Sequence, residues 1–138
     1  MQTLNYKKKI SGPILDRIDL HVEVPRVKFE KLASDSSGEN SKIIKVRIEE
    51  ARKIQKKRFK NTPFITNSEM SSNAVKQFCE LDNASMALLK NAVDQMHLSA
   101  RAYFRILKLS RTIADLAKEE RIATSHIAEA LQYRPKVE

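Results

Sequence analysis

The spacing of apolar side chains changes along the chain, from alternation near its start to a helical period after about residue 41. From Leu20 to Val24 apolar and polar residues alternate, which is the period of a half-buried strand, and Pro25 ends the run. This is an orphan strand, because no partner strand is predicted in the rest of the chain. A single strand leaves its backbone groups unpaired, so we expect weak order before about residue 40.

Helical spacing dominates the remainder and predicts a mainly α fold, a small bundle of four to five helices joined by short loops. In the first helix Ile44, Ile48, Ala51 and Phe59 are expected to face inward. The fourth is expected to be the longest, capped by Ser99 and with its arginines facing away from its apolar stripe. The predicted helices run from Ser41 to about Phe59, Ser71 to Cys79, Asp82 to about Met96, about Ala100 to Lys118, and about Thr124, read as a cap, to Tyr133.

Composition narrows the class of protein. The chain of 138 residues has only two glycines, Gly12 and Gly38, which favours helices with short joints. Its one cysteine, Cys79, excludes an intrachain disulfide. No apolar run approaches the ~20 residues that span a bilayer, so we expect a cytoplasmic protein without a membrane partner.

Positive charge is concentrated in the first helix. Residues 42–60 contain nine Lys or Arg against Glu49 and Glu50, within a chain of net charge +9. Such a surface attracts the phosphates of nucleic acid, although a merely solvated helix face explains it equally well. The candidate nucleic-acid-binding residues are Lys45, Arg52, Lys53, Lys56 and Lys57.

Several kinds of chemistry are excluded by spacing. The two glycines are too far apart for a phosphate-binding P-loop, so the isolated chain should neither bind ATP tightly nor hydrolyse it. His21, His97 and His126 are scattered without further ligands at metal-binding spacing, and we expect no metal site. A Gly-x-Ser-x-Gly nucleophile motif is also missing.

Two arginines are the candidate chemical groups. Arg17 lies between Asp16 and Asp19 just before the predicted strand, where a loop end can project its guanidinium; pairing with either carboxylate is the simpler explanation. Arg101 lies in the first turn of the fourth helix, where a cation opposes the helix dipole unless an anion is near. An exposed arginine held off by its long stem is the alternative.

Two strings resemble a known family. Ile10 to Pro25 (ISGPILDRIDLHVEVP) and Leu98 to Ala117 (LSARAYFRILKLSRTIADLA) resemble the magnesium-chelatase-like AAA+ ATPases of the bacterial ComM/YifB type, and His126 to Arg134 resembles their closing helix. The resemblance covers most of the chain apart from residues 34–41 and 61–70. It implies that residues 1–33 are the tail of the ATPase core, 34–41 a polar linker, and 42–138 the helical lid.

The resemblance also implies roles. Arg17 falls on the arginine-finger position, which reaches ATP bound by a neighbouring subunit, and Arg101 falls on the sensor-2 position of the lid. Arg105, one turn later, is a further candidate for contacting nucleotide. The implied cofactors are ATP and Mg²⁺ in the longer protein and none for this piece, and the implied partners are the other subunits of a homo-oligomeric ring, expected to be a hexamer.

The family also suggests a substrate. ComM-type members resemble hexameric helicases and are linked to branch migration of DNA in natural transformation, so DNA is the expected target. A metal-inserting chelatase subunit remains an alternative. So does a stand-alone DNA-binding module that presents Arg101, Arg105, Lys108 and Arg111 as a recognition face. Since the family's P-loop and Walker B elements lie upstream, we expect the chain to be part of a longer protein.

Overall fold

The computed structural model describes residues 17–27 and 38–134, and within them the regular structure is helical. One isolated parallel bridge joins Leu81 to Ile122. The mainly α expectation is therefore confirmed. The elements are α1 (Ser41–Arg58), a 3₁₀ helix (Asn67–Glu69), α2 (Ser72–Phe78), α3 (Asn83–Gln95), α4 (Ala100–Leu116) and α5 (Thr124–Gln132).

Helix α4 lies at the centre of the bundle. It packs against α1, α2, α5 and the 3₁₀ helix, so it is covered on several sides rather than along one stripe. Consequently Leu107, Ser110 and Arg111 are buried, whereas Leu116 is exposed. The core around it includes Phe59, Met70, Val75, Leu89, Ile106, Ala114, Ile122 and Ile127.

Short polar side chains start most of the helices. Ser71, Asp82 and Ser99 each accept a hydrogen bond from the amide three residues later, as N-caps do. The predicted caps of α1 and α5 were wrong by one residue. Asn40 caps α1, while α5 begins after Ala123, whose amide donates to Nδ1 of His126 at 3.1 Å.

Helix α1 extends beyond the bundle. Burial begins at Ala51, so Ile44 and Ile48 are 38% and 48% exposed instead of facing inward. At 18 residues α1 is also one residue longer than α4, which corrects the expectation that α4 is the longest helix. The apolar stripe of α1 runs along the whole helix, but only its second half is buried against other described residues.

The strand predicted from Leu20 to Val24 is not formed. The structure describes residues 17–27, and they contain no helix or strand. The segment has no neighbouring strand edge in the described part of the chain, so its period-2 pattern has nothing to pair with, and Val22 and Val24 are 68% and 85% exposed. It is held instead by a hydrogen bond from the His21 amide to the Tyr133 carbonyl, 2.9 Å.

The rest of the expectation for the start of the chain concerns residues 1–16 and 28–37, which lie outside the described residues. The division into 1–33, 34–41 and 42–138 stays a prediction. None of the described helices combines the length and apolar character needed to cross a bilayer.

Candidate functional site

An ion-pair network lies between α1, α4 and the 3₁₀ helix. Asp115 is 1% exposed and accepts from two arginines: from Nη1 of Arg58 at 2.7 Å, with a second bond from its Nη2, and from Nε of Arg111 at 3.1 Å. Asn67 donates to the same carboxylate at 2.8 Å and accepts from Arg58 at 2.9 Å. Two cations therefore share one buried carboxylate, and hydrogen bonds fix all four side chains.

Arg111 also fastens the loop that follows α4. It is 3% exposed, and its Nη1 and Nη2 donate to the carbonyls of Glu120 and Glu119 at 2.7 and 2.6 Å. Burial lowers the pKa of Arg111, and the carboxylate of Asp115 opposes that shift. Because a guanidinium stays charged in proteins, this arginine is a fixed internal cation with structural partners.

Cys79 lies near the same network. Burial raises the pKa of its thiol to about 11, although Arg111 and Arg58 act in the opposite direction. At neutral pH the sulfur is therefore protonated and buried, the state of a packing residue and not of a nucleophile.

Sequence reasoning missed this network. It placed Arg111 on the exposed side of α4 and counted Arg58 with the surface charge of α1. One signal was available: Arg111 lies four residues after Leu107 and three before Ala114, so it shares their buried face. Arg58, the other arginine that donates to Asp115, is distant in sequence, and only the fold brings it to that carboxylate.

The other cations of α4 have different surroundings. Lys108 donates through Nζ to the Ser68 carbonyl at 2.9 Å, and Arg105 pairs with Asp19 at 3.1 Å. Arg101, in the first turn, is exposed and makes no ion pair with another described residue. The alternative in which α4 presents these four cations as one DNA-recognition face is therefore wrong. Arg111 is internal, and Arg105 and Lys108 already bind other groups of the protein.

Arg17 is the first residue of the described segment 17–27 and is exposed. Two residues later Asp19 pairs with Arg105, so the segment that carries Arg17 lies against the helix that carries Arg101. The fold thus brings the elements of Arg17, Arg101 and Arg105 together. No hydrogen bond or ion pair among the described residues links Arg17 or Arg101 to α1, so the structure does not tie the basic residues of that helix to them.

The basic residues of α1 form a strip on its outer side. Arg52, Lys53, Lys56 and Lys57 are exposed, and Lys45 forms only a loose ion pair with Glu49, 3.7 Å. The opposite side of the helix carries the buried Ala51, Gln55 and Phe59. We call Lys45, Arg52, Lys53, Lys56 and Lys57 the α1 strip.

Arg17 and Arg101 line neither of two cavities that open among the described residues. The larger, about 840 Å³, lies over Arg58 and Arg111 between the ends of α1 and α2 and the loop after α4, with side chains of both signs around it. The smaller, about 240 Å³, is lined in part by Asp19, Arg105 and Lys108. The smaller one lies at the contact between the segment 17–27 and α4.

Of the three histidines, His126 is the buried one among the described residues. In the described part of the chain no group of three or more His, Cys, Asp or Glu is arranged to hold a metal ion. His126 is buried, with Nδ1 accepting from the Ala123 amide and Nε2 3.6 Å from Glu119, so it serves the start of α5.

These features define a small helical bundle with an arginine-bearing segment laid against its central helix. Residues 38–134 match the family described as magnesium chelatase, subunit ChlI C-terminal, and residues 1–32 match magnesium chelatase, subunit ChlI. The chain belongs to the magnesium chelatase subunit ChlI C-terminal family. The resemblance seen in the strings Ile10 to Pro25 and Leu98 to Ala117 is confirmed.

Within the family, the chain is similar in sequence to three bacterial relatives. It is 39% identical to competence protein ComM of Haemophilus influenzae over 137 residues, covering 99% of this chain and 26% of the relative. It is 37% identical to the uncharacterized protein YifB of Escherichia coli over 134 residues, covering 96% and 26%. The YifB protein of Salmonella typhimurium is 35% identical over the same share of each chain. The chain thus spans about a quarter of the length of these relatives.

Proposed function

We propose that this chain is the C-terminal part of a longer AAA+ ATPase, in which ATP and Mg²⁺ lie between the subunits of a homo-oligomeric ring. The helices α1–α5 are the lid, and Arg17 is an arginine finger that reaches the ATP of a neighbouring subunit. Family membership supports the lid. The exposure of Arg17 is consistent with contact to another subunit, because an arginine finger acts only if its guanidinium is available to a partner.

The position of Arg101 carries the proposal. Three other cations follow it on α4, at 105, 108 and 111, and each is engaged by a carboxylate or a carbonyl of the protein. Arg101 is exposed and lies where the N-terminal end of the helix dipole disfavours a cation. A phosphate near this turn would offset that repulsion and accept from both the guanidinium and free helix amides.

The two arginines would act at different stages of turnover. A planar, permanently charged guanidinium at Arg17 stabilises negative charge that develops on the transferred phosphoryl group. Arg101 would bind phosphate more strongly in the ATP state than after hydrolysis. The lid then favours a different position with each nucleotide, since a ligand shifts an equilibrium through its differential contacts.

The substrate of the motor is proposed to be DNA, with the α1 strip as a contact for the phosphate backbone. Lys45 and Lys57 are twelve residues apart, so the strip is about 18 Å long at ~1.5 Å per residue. With one charge per ~3.4 Å of a strand, that length spans about five phosphates. The name of the Haemophilus relative, a competence protein, agrees with DNA as the target.

ATP hydrolysis by the full-length protein tests the assignment. Arg17→Ala is expected to lower kcat by ~10³-fold or more, as for arginine fingers in other NTPases, with assembly of the ring retained. Arg101→Ala is expected to lower turnover as well. Arg47→Ala is the control, because Arg47 is exposed on α1 and pairs with Glu39, away from both sites. Wild-type rates of ATP hydrolysis in both the Arg17 and the Arg101 variants would contradict the proposal.

A further inference from the structure

Two of the contacts that attach the described segment 17–27 to the bundle come from Asp19 and His21. Asp19 Oδ1 lies 3.1 Å from Nε of Arg105 on α4, and the His21 amide donates to the carbonyl of Tyr133, just after α5, at 2.9 Å. Two attachments so close in sequence fix both the position and the direction of the segment. The ion pair is the one of the two that joins it to the central helix.

Both candidate nucleotide contacts lie close to this ion pair. Arg17 precedes Asp19 by two residues, a reach of at most ~7 Å along the backbone. Arg101 precedes Arg105 by one helical turn, a rise of ~6 Å. A displacement of the first turns of α4 therefore either carries the Arg17 segment with it or breaks the ion pair.

Asp19 lies beside two cations of α4 in the small cavity. Its carboxylate shares the small cavity with Arg105 and Lys108, while Lys108 is itself held by the Ser68 carbonyl at 2.9 Å. Arg105 is 25% and Asp19 54% exposed at the side chain, so the pair is accessible to water and adds little to global stability. A pair of that kind can rearrange without unfolding the bundle.

We propose that Asp19 and Arg105 form a positioning link that couples the lid to the arginine finger. When nucleotide contact at Arg101 moves α4, the link displaces Arg17 at the adjoining active site. Arg105 acts through Asp19 and is a positioning residue, not a nucleotide contact. This inference rests on the proposed function, since it needs Arg17 and Arg101 to serve ATP hydrolysis.

The test compares Asp19→Asn, Arg105→Gln, their combination, and the reciprocal exchange Asp19→Arg with Arg105→Asp, each in the full-length protein. Steady-state ATP hydrolysis gives kcat and KM, and sedimentation checks ring assembly. Each single change is expected to lower kcat about 2- to 5-fold, the range of a half-exposed ion pair, with KM altered less than about 2-fold. The combination should be no slower than the slower single variant, and the exchange should recover most of the loss.

The ion pair of Glu39 and Arg47 is the control, because it joins α1 to the residue before its cap and both of its side chains are about half exposed. Glu39→Gln should leave kcat unchanged. The link would be overturned by a wild-type kcat in Asp19→Asn, or by losses that multiply in the combined variant. It would also be overturned if Arg105→Gln raised KM without lowering kcat, because Arg105 would then be a direct nucleotide contact. If those results come with an inactive Arg17→Ala variant, the link fails and the proposed function stands. Active Arg17→Ala and Arg101→Ala variants would refute both.

Discussion

Asp115 is the residue on which the internal charges of the bundle depend. Its carboxylate is buried and is shared by Arg58 of α1 and Arg111 of α4, so it joins the two longest helices through one side chain. Two guanidinium groups beside one carboxylate leave one excess positive charge inside this network. That arrangement persists only while the carboxylate is ionised and every donor has an acceptor.

Replacing Asp115 by Asn should destabilise the chain severely. The amide is nearly isosteric, but it removes the negative charge and leaves the buried Arg111 and the largely buried Arg58 without a counter-charge. We expect the free energy of unfolding to fall by ~3–5 kcal/mol, the usual range when one partner of a buried ion pair is removed. Urea unfolding followed by circular dichroism measures the change.

The exposed pair of Lys45 and Glu49 provides the control for this substitution. Both side chains are more than half exposed, so Glu49→Gln should change the free energy of unfolding by less than ~0.5 kcal/mol. A loss below ~1 kcal/mol in Asp115→Asn would contradict the view that this network is compensated by its carboxylate. A variant that is already unfolded without urea agrees with it.

At the scale of elements, the helices were predictable and their ends and faces were less so. The starts of three helices could be predicted from their N-caps, Ser71, Asp82 and Ser99. Each of these side chains accepts from an amide in the first turn of its own helix, so the signal is local in sequence. The buried faces depend on neighbours. Helix α4 is covered on several sides, so its apolar stripe did not reveal that Arg111 is internal. Helix α1 extends beyond the bundle, so Ile44 is not covered as expected.

The helix ends also show how a chain with two glycines makes its turns. His97 follows α3 with φ 47° and Lys118 follows α4 with φ 63°, the left-handed conformation that glycine adopts most easily. After α3 the Leu98 amide donates to the Val93 carbonyl at 3.1 Å, and after α4 Glu119 donates to Ala114 at 2.8 Å. Both are the bonds of a Schellman motif, formed here on residues with side chains.

His97→Gly should therefore stabilise the chain. Glycine removes the steric cost of the left-handed conformation, which exceeds the entropy that it adds to the unfolded chain, and His97 is exposed, so little packing is lost. We expect the free energy of unfolding to rise by about 0.5–1 kcal/mol. Thermal and urea unfolding give the value.

His97→Ala separates the backbone effect from removal of the imidazole. Alanine keeps a Cβ and hence the strain, so it should give no gain. Equal stabilisation by alanine and glycine would mean that the imidazole itself is unfavourable and that the backbone conformation at this turn is not strained.

At the scale of the whole molecule, the sequence predicted the family, but not that the segment carrying Arg17 lies against the helix carrying Arg101. Their connection runs through Asp19 and Arg105, which are far apart in sequence and carry no motif that pairs them. The strand prediction for Leu20 to Val24 was wrong for a related reason. Alternation indicates a surface suited to a sheet, whereas pairing requires an edge that these described residues do not contain.

The charge of the whole molecule gives the remaining prediction. If the α1 strip contacts DNA phosphates, neutralising three of its members should reduce the number of counterions released on binding. For Arg52→Gln, Lys53→Gln and Lys56→Gln together, the slope of log affinity against log salt for double-stranded DNA should become shallower by about 2.7, at ~0.9 for each phosphate that the variant no longer neutralises. Titrations of the full-length protein at several salt concentrations measure that slope.

The matched control neutralises three exposed cations elsewhere, Lys76, Lys90 and Arg121, and so makes the same change in net charge. Long-range attraction depends on total charge and falls equally in the two triple variants, whereas contacts with phosphates depend on position. A shallower slope in the strip variant alone supports a backbone site on α1. Equal slopes in both variants would mean that the α1 strip is only a solvated helix face. Any DNA contact would then lie in another part of the longer protein.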